Sequence, residues 1–380
     1  MTDTPPAPPA STRSRAREML AAGDLAPWFM GKMLGEAEEW SFASAGGAAV
    51  LLFFMGTASD PKVAAAHDCI LARAALFDDV RARFFGVTAD PRDAPAGRIA
   101  RRLPGIRYFL DYGMEIARRF GTADDDGQYR PHLLVLDRRL HVAGRFGLGE
   151  VDAALELLAL EAGDVGQDWA PVLTMPNLFE QSLCRDLIAY YDCDGGSDSG
   201  FMRDIDGKTT LVTDHSFKRR RDALIEDLPL QAAIRQRIER RLVPTIRRAL
   251  QFNATRIERY VVSAYDAGAG FFGPHRDNTT RGTAHRRLAV TINLNDDYDG
   301  GDLRFPEFGT RTYRAPPGGA VVFSCALLHE ATPVTRGRRY ACLPFLYDEE
   351  AARIREANQA HLADNSNIYV ANPSGEQAQM

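Results

Sequence analysis

The pattern of hydrophobic and polar positions divides the chain into two parts with different periods. In the first part, short apolar runs predict strands at 48–54, 84–88, 131–137 and 141–146. Helical spacing of the apolar residues predicts helices at 62–84, 116–120 and 150–160. Strands that alternate with helices are typical of an α/β domain built around one central sheet.

The second part follows a short polar boundary at 163–167. Helices are predicted at 180–191 and 230–250, and an amphipathic helix with a loose tail at 349–363. Short strands separated by Gly, Pro, Asn and Asp are predicted at 256–265, 286–294, 301–305, 319–323 and 340–347. Many short strands with frequent turn residues are typical of a sandwich or jelly roll.

The sequence therefore predicts an α/β domain followed by a mainly β domain with flanking helices. The predicted segments are a disordered tail at 1–20, the domains at 21–162 and 168–350, and a C-terminal helix and tail at 351–380. The first residues are rich in Pro, Ser and Thr and lack an apolar stretch, which argues against a signal peptide. The longest apolar run, 48–55, is too short to span a bilayer.

Composition and charge narrow the classes of partner. The chain has 380 residues, 45% of them hydrophobic and 26% charged, which is typical of a globular protein. With 46 basic and 51 acidic residues the net charge is −5, so no general attraction to nucleic acid or to an anionic membrane is expected. The five cysteines form no C-x-x-C pair, which favours free thiols and a cytoplasmic location.

The most informative chemistry begins at His275-Arg276-Asp277, which follows a predicted strand. Two residues apart on extended backbone, His275 and Asp277 lie on one side. His329 follows the predicted strand at 319–323, so two histidines and one carboxylate can converge from different strands. Such a set leaves open coordination positions and suits non-haem Fe(II) and O2 chemistry.

A cation for a dicarboxylate co-substrate is also available. Arg339 follows His329 by ten residues at the start of a predicted strand, and its planar guanidinium matches a carboxylate bidentately. Arg338 is the rival, because a shift of one residue along a strand turns the side chain to the opposite face.

Over 171–347 the chain resembles the prolyl 4-hydroxylase branch of the Fe(II)/2-oxoglutarate-dependent oxygenases. The resemblance depends on the histidines, aspartate and arginine named above, together with 300–306, Pro333, Val334 and Gly337. The resemblance implies a double-stranded β-helix in which His275, Asp277 and His329 ligate iron and Arg339 pairs with the distal carboxylate of 2-oxoglutarate. It also implies O2 as co-substrate, places Tyr265 in the co-substrate pocket, and raises ascorbate as a further cofactor. Many relatives have a tyrosine where this chain has Asn293, so a contact of Asn293 with the co-substrate is less firmly implied.

The substrate is left open by the sequence: a prolyl or other amino-acid residue of a peptide, a free amino acid or a small metabolite. The loops at 192–200 and 204–221 are predicted to cover the site. The basic run Lys218–Arg221 is predicted to be a solvated face, with docking of an acidic substrate as the alternative, and His285 is predicted to be a solvated loop residue.

The first domain resembles a peroxiredoxin in the order and spacing of four segments, 23–29, 52–54, 85–88 and 130–132. The resemblance implies a thioredoxin-like fold, but the position of the peroxidatic cysteine, three residues after Thr57, is Asp60. A carboxylate cannot replace the thiolate nucleophile, so this domain is predicted to lack peroxidase activity and to be available for a protein partner. Arg130 matches the family's arginine and is predicted to be structural here.

These observations favour a 2-oxoglutarate-dependent dioxygenase that hydroxylates an unactivated C–H bond. Two alternatives stay open at this point. One is a non-catalytic binding protein on the same scaffold, and the other is a thiol redox enzyme that uses Cys69.

Overall fold

The computed structural model describes residues 18–363, which form two compact units. The first unit comprises 18–43 and 49–163, and the second comprises 44–48 and 164–363. Most of the tail predicted at 1–20 and the end of the segment predicted at 351–380 lie outside the described residues. Among residues 18–363, none of the helices combines the length and apolar character that a bilayer crossing requires.

The first unit is a mixed α/β structure. Its strands are β1 (Met30–Lys32), β2 (Glu39–Ser41), β3 (Ala49–Gly56), β4 (Ala82–Thr88), β5 (Ile106–Leu110), β6 (His132–Leu136) and β7 (Val142–Phe146). Its α-helices are α1 (Pro61–Leu71), α2 (Glu115–Arg119) and α3 (Val151–Gly163). Short 3₁₀ turns lie at Phe42–Ala45 and Ala74–Leu76.

The sheet of the first unit has the order β5-β4-β3-β6-β7. Strand β3 pairs in parallel with β4 and antiparallel with β6, so the sheet is mixed. The apolar run that forms β3 is buried along its length, as expected for a central strand covered on both faces. The α/β prediction for this part is confirmed, and the finer thioredoxin-like assignment stays a prediction.

Two details of the first unit differ from the sequence prediction. The helix predicted at 62–84 ends at Leu71, and its last residues belong to β4 instead. After a 3₁₀ turn at Ala74–Leu76, the Asp78 side chain accepts hydrogen bonds from the backbone N–H groups of Val80 and Arg81, at 3.0 and 2.7 Å, and forms the turn that leads into β4. Strands β1, β2 and β5 were not predicted.

The second unit is rich in short strands. Its first strands are β8 (Leu173–Met175), β9 (Ser197–Asp198), β10 (Phe201–Ile205), β11 (Lys208–Val212), β12 (Lys218–Arg219), β13 (Arg221–Leu224), β14 (Arg256–Ile257), β15 (Val261–Asp266) and β16 (Phe271–His275). The later strands are β17 (Leu288–Asn293), β18 (Asp299–Gly300), β19 (Leu303–Arg304), β20 (Thr312–Tyr313), β21 (Ala320–Ser324), β22 (His329–Ala331), β23 (Val334–Arg336), β24 (Arg338–Cys342) and β25 (Phe345–Tyr347).

Helices flank these strands. They are α4 (Gln181–Asp194), α5 (Leu228–Arg237), α6 (Val243–Leu250) and α7 (Glu349–Asn358), with one π turn at Ile238–Leu242 that joins α5 to α6. Asp227 caps α5 by accepting a hydrogen bond from the N–H of Leu230 at 2.7 Å. The joined helix buries Ile234, Ile238, Leu242 and Ile246, which are spaced four residues apart, in a core with the strands β15 and β17.

Two sheets position the chemistry of the second unit. The smaller sheet has the order β12-β16-β22-β19-β20, and the larger one runs β14-β25-β17-β24-β15-β13-β9, with β21 and β8 attached through β17. Residues of both sheets share one buried cluster, which includes Leu303 and Tyr313 from the smaller sheet and Val321 from the larger. The prediction of a sheet-rich second part is therefore confirmed, and the jelly-roll topology stays a prediction.

Part of the segment predicted to cover the site is a hairpin, β10–β11. Thr209 of this hairpin accepts a hydrogen bond from the N–H of Gly282 at 2.8 Å, and Lys208 donates to the carbonyl of Ala360 at 2.7 Å. The region predicted as a loop at 192–200 begins as the last turn of α4 and continues into β9. The covering role of both segments stays a prediction.

Candidate metal centre

Two histidines and one aspartate converge on the smaller sheet of the second unit. His275 ends β16 and His329 begins β22, and the two residues lie opposite each other in the antiparallel pairing of these strands. Asp277 follows two residues after His275. One ligand atom from each of the three residues lies within 4.8 Å of the others, which is the spacing that a shared metal ion requires.

The distances within this triad show where an ion would be held. Nε2 of His275 lies 3.6 Å from Oδ1 of Asp277, and Nε2 of His329 lies 3.3 Å from Oδ2. The two imidazole ring centroids are 4.3 Å apart. The Nε2 atoms therefore converge on the same carboxylate and not on separate partners.

Backbone carbonyls fix both rings in the orientation that metal binding needs. Nδ1 of His275 lies 2.7 Å from the carbonyl oxygen of Gly273, and Nδ1 of His329 lies 3.0 Å from that of Leu327. A carbonyl oxygen can only accept, so each ring carries its proton on Nδ1 and leaves the Nε2 lone pair available. This outer support is typical of histidines that ligate metals.

Burial and mutual attraction set the charges of the triad. Burial alone raises the pKa of Asp277, but the favourable electrostatics of the adjacent imidazoles of His329 and His275 outweigh it, and the pKa lies below its ordinary value. Burial, followed by repulsion from His275, lowers the pKa of His329 to about 4. An ionised carboxylate beside a neutral imidazole is the protonation state in which both groups can bind a cation.

A buried ion pair joins the two segments that carry the triad. Arg276 donates to both carboxylate oxygens of Glu307, at 2.7 and 3.1 Å, and also to the carbonyl of Ala326. Glu307 in turn accepts from the N–H of Leu328 at 3.1 Å. Because Leu328 directly precedes His329, this clamp connects the position of His329 to the residue between His275 and Asp277.

His285 is part of a second buried group beside the triad, so its prediction as a solvated loop residue is wrong. It is 1% exposed, and its Nε2 lies 2.9 Å from Oε2 of Glu258. Arg286 donates to the same carboxylate at 2.8 Å and lies 3.4 Å from the carbonyl of Asp277. Burial of His285 is favourable because both His285 and Arg286 pair with Glu258. The local sequence could not reveal this partner, since Glu258 lies 27 residues before His285.

The structure separates Arg339 from its rival. Arg339 lies on β24 opposite Tyr265 of β15, is 4% exposed, and has its guanidinium carbon 5.1 Å from the centroid of the Tyr265 ring. Arg338 points to the other face, where it is exposed and pairs with Asp266. Only Arg339 therefore faces the interior of the unit.

Asn293 faces the same interior as Arg339, at the end of β17. Its Oδ1 lies 3.4 Å from Nε of Arg339 and accepts a hydrogen bond from the hydroxyl of Tyr298 at 2.9 Å. Sequence reasoning missed Tyr298, which is 1% exposed. Its signal in the sequence is slight, since it lies among acidic turn residues at 296–299.

The basic run Lys218–Arg221 is only half solvated, which corrects the prediction of a solvated face. Arg219 and Arg221 are exposed, but Lys218 and Arg220 are buried. Arg220 donates to Asp222 at 2.6 Å and to the hydroxyl of Tyr265 at 3.4 Å. Alternation along an extended segment explains the pattern, because every second side chain turns inward.

In the first unit, Asp60 has a structural role. Its carboxylate accepts hydrogen bonds from the N–H groups of Lys62 and Val63, at 2.8 and 3.2 Å, and caps α1. Cys69 lies within the same helix and packs beside the apolar core. Arg130 is half exposed and lies 3.7 Å from Asp124.

Comparison with known proteins identifies the class of domain that holds the triad. Residues 260–347 match the 2OG-Fe(II) oxygenase superfamily. A PKHD-type hydroxylase of Synechococcus sp. (strain JA-2-3B'a(2-13)) is 29% identical over 130 residues, which cover 31% of this chain and 58% of that protein. A PKHD-type hydroxylase of Burkholderia lata is 34% identical over 149 residues, which cover 36% of this chain and 64% of that protein.

A solved prolyl hydroxylase from Trichoplax adhaerens, in complex with a hypoxia inducible factor oxygen degradation domain peptide, gives a TM-score of 0.40 at 16% identity, over 49% of this chain and 86% of that chain. The chain spans 58% of the length of the first curated relatives that it matches. The family match alone places a 2OG-Fe(II) oxygenase domain at residues 260–347 of the second unit. This family implies Fe(II), 2-oxoglutarate and O2.

The residues present fit these groups. Two neutral imidazole nitrogens and a carboxylate are the donor set that suits non-haem Fe(II). Arg339 is a buried cation whose terminal nitrogens make no hydrogen bond to any of the residues 18–363, so a carboxylate can pair with them.

Proposed function

We propose that the protein is an Fe(II)- and 2-oxoglutarate-dependent dioxygenase that hydroxylates an unactivated C–H bond of its substrate. The observation that carries this proposal is the convergence of the Nε2 atoms of His275 and His329 on the carboxylate of Asp277, with both Nδ1 atoms held by carbonyl oxygens. When bound, Fe(II) with 2-oxoglutarate and O2 supplies the oxidising chemistry, with release of succinate and CO2.

The side chains of the protein would hold the metal and orient its ligands. His275, Asp277 and His329 would hold the metal on one side and leave the other side to ligands. Phe272 stacks on His275 with ring centroids 3.5 Å apart, and Phe323 packs edge-on against His329 at 4.6 Å. These aromatic faces limit the movement of both imidazoles and keep water away from their rings.

Arg339 would anchor the distal carboxylate of 2-oxoglutarate. Its burial supports this role, because an ion pair formed away from water is screened less than one at the surface. Tyr265 contacts the guanidinium face and would line the co-substrate pocket. The direction of Arg338 toward solvent and Asp266 supports Arg339 rather than Arg338 in this role.

The substrate is proposed only by class: a prolyl or other amino-acid residue of a peptide, a free amino acid or a small metabolite. The hydroxylase names of the matched relatives support an oxygen-insertion reaction on an organic substrate. The first unit is proposed to bind a protein partner. Ascorbate as a further cofactor and a cytoplasmic location stay predictions.

The full-length protein can test the proposal without a known substrate. Fe(II) and 2-oxoglutarate are added without O2, and a weak visible charge-transfer band is expected from the assembled site. O2 is then admitted, and slow uncoupled formation of succinate is followed. Absence of both the band and succinate would overturn the proposal and favour a non-catalytic binding protein. Peroxide consumption that is lost in Cys69→Ser would instead favour the thiol redox enzyme.

A further inference from the structure

The side chain of Asn293 makes a full set of hydrogen bonds inside the second unit. Its Nδ2 donates to the carbonyl oxygens of Asn295 and Ala315, both at 3.1 Å. Its Oδ1 accepts from the hydroxyl of Tyr298 at 2.9 Å and from Nε of Arg339 at 3.4 Å. Both N–H donors and both acceptor positions of the amide are therefore occupied.

These partners allow only one orientation of the amide. A reversed amide would place its NH2 group against Nε of Arg339, so that two donors would face each other. It would also place its oxygen against the carbonyl oxygens of Asn295 and Ala315. The two carbonyls thus force Oδ1 toward Arg339, and the buried hydroxyl of Tyr298 holds it there.

This orientation decides which edge of Arg339 can receive a ligand. A guanidinium can pair with a carboxylate either along its Nε edge or through its two terminal nitrogens. Asn293 occupies Nε, whereas the terminal nitrogens make no hydrogen bond to any residue that the structure describes. Arg339, Asn293 and Tyr298 also line one small cavity of about 10 Å³.

We infer that Asn293, supported by Tyr298, is a positioning residue that occupies Nε of Arg339 and aims the two terminal nitrogens at the distal carboxylate of the co-substrate. Asn293 acts through Arg339 and makes no contact with the co-substrate itself. The inference rests on the proposed function, because it needs 2-oxoglutarate to be the ligand of Arg339. It also gives a role to Tyr298, which no motif singled out.

The test measures ligand binding to the full-length, Mn(II)-loaded protein by calorimetry, so that no turnover is needed. The ligands are 2-oxoglutarate and pyruvate, a 2-oxo acid without the distal carboxylate. In Asn293→Leu, we expect 2-oxoglutarate to bind about tenfold more weakly and pyruvate binding to be unchanged, because a hydrogen bond to a charged group is worth about this factor. Asn358→Leu is the matched control, since the side chain of Asn358 donates to the carbonyl of Arg281 and makes no hydrogen bond to Arg339 or Asn293 among the described residues.

A double-mutant cycle separates positioning from structural damage. In the Arg339→Ala background, Asn293→Leu should have no further effect on 2-oxoglutarate binding. Asn293→Asp preserves the shape of the side chain and provides a second variant, in which a carboxylate beside Arg339 should also weaken 2-oxoglutarate binding about tenfold or more.

Several outcomes would overturn the inference. They are wild-type affinity in both Asn293 variants, parallel loss of pyruvate binding, or an undiminished effect in the Arg339→Ala background. These leave the proposed function intact, because wild-type binding is unaffected by them. Failure of the wild-type protein to bind 2-oxoglutarate would instead overturn the proposed function together with this inference.

Discussion

His275 and His329 lie opposite each other on neighbouring antiparallel strands, with their ring centroids 4.3 Å apart and both Nε2 atoms directed at Asp277. The pairing of β16 with β22 creates this arrangement, since it brings the end of one strand to the beginning of the other. The histidines therefore depend on the sheet for their mutual geometry, and each depends on a carbonyl of its own segment for ring orientation.

We expect His275→Ala to weaken divalent metal binding by more than about 100-fold, since the loss of a direct ligand should exceed the 10–100-fold cost of losing an outer-shell partner. Titration of Mn(II) followed by electron paramagnetic resonance measures this directly, and the visible band with Fe(II) and 2-oxoglutarate should disappear. His215→Ala is the control, because the His215 side chain is exposed and its ring pairs with Asp198. Unchanged metal affinity in His275→Ala would show that the ligand assignment is wrong.

Arg339→Ala and Arg338→Ala form a matched pair of variants on adjacent residues. We expect Arg339→Ala to weaken 2-oxoglutarate binding by about 100-fold with metal binding retained, because a buried ion pair with two hydrogen bonds is lost. Arg338→Ala should change it less than about twofold, since Arg338 is exposed and pairs with Asp266. Calorimetric titration of the Mn(II)-loaded protein distinguishes the two, and the opposite ranking would move the anchor to Arg338.

Glu307→Gln tests the clamp between the two segments of the triad. The neutral amide cannot accept both hydrogen bonds of Arg276 and no longer offsets its charge, so His329 should lose its fixed position. We expect metal affinity to fall about tenfold, in the range found for residues that orient ligands. Glu349→Gln removes an exposed pair with Arg256 and should have no effect on metal binding. Equal affinities in both variants would contradict the role of the clamp.

We expect His132 to make the first unit sensitive to acid. Burial lowers the pKa of His132, and its Nε2 has no hydrogen-bond partner in the part of the chain that the structure describes. In the unfolded chain His132 binds a proton near pH 6.5, whereas in the folded chain it does so only at lower pH. The free energy of unfolding should therefore fall as the pH drops below about 6.5. Hydrogen exchange of 132–136 measures this stability.

His132→Phe should reduce this acid sensitivity, because a neutral ring can continue to stack on Phe54. His141→Phe is the control, since His141 is partly exposed and near Asp137. A pH profile for His132→Phe that matches the wild type would show that His132 is not the responsible group.

Asp60→Ala and Asp60→Asn separate helix capping from any acid chemistry at this position. Asp60→Ala should destabilise the first unit by about 1 kcal/mol, because two N–H groups of α1 lose their acceptor. Asn is as good a cap as Asp, so Asp60→Asn should be nearly neutral. Denaturant unfolding of the two variants provides the comparison, and equal losses in both would argue that the charge matters more than the cap.

The sequence by itself determined the elements whose signal is local. The apolar run of β3 predicted a buried central strand, and the H-x-D spacing placed His275 and Asp277 together, because extended backbone returns every second residue to the same side. The polar stretch at 163–167, and the change from alternating strands and helices to many short strands after it, predicted two parts of the chain. In each case the deciding contacts lie within a few residues.

Only the tertiary structure decided which charged and polar side chains turn inward. His285 became buried because Glu258 and Arg286 lie beside it, and Arg339 rather than Arg338 faces the interior because of its register with Tyr265. The amide of Asn293 gained its role from partners on other segments. Burial of a polar group depends on partners that satisfy it, and those partners come from distant positions that periodicity does not specify.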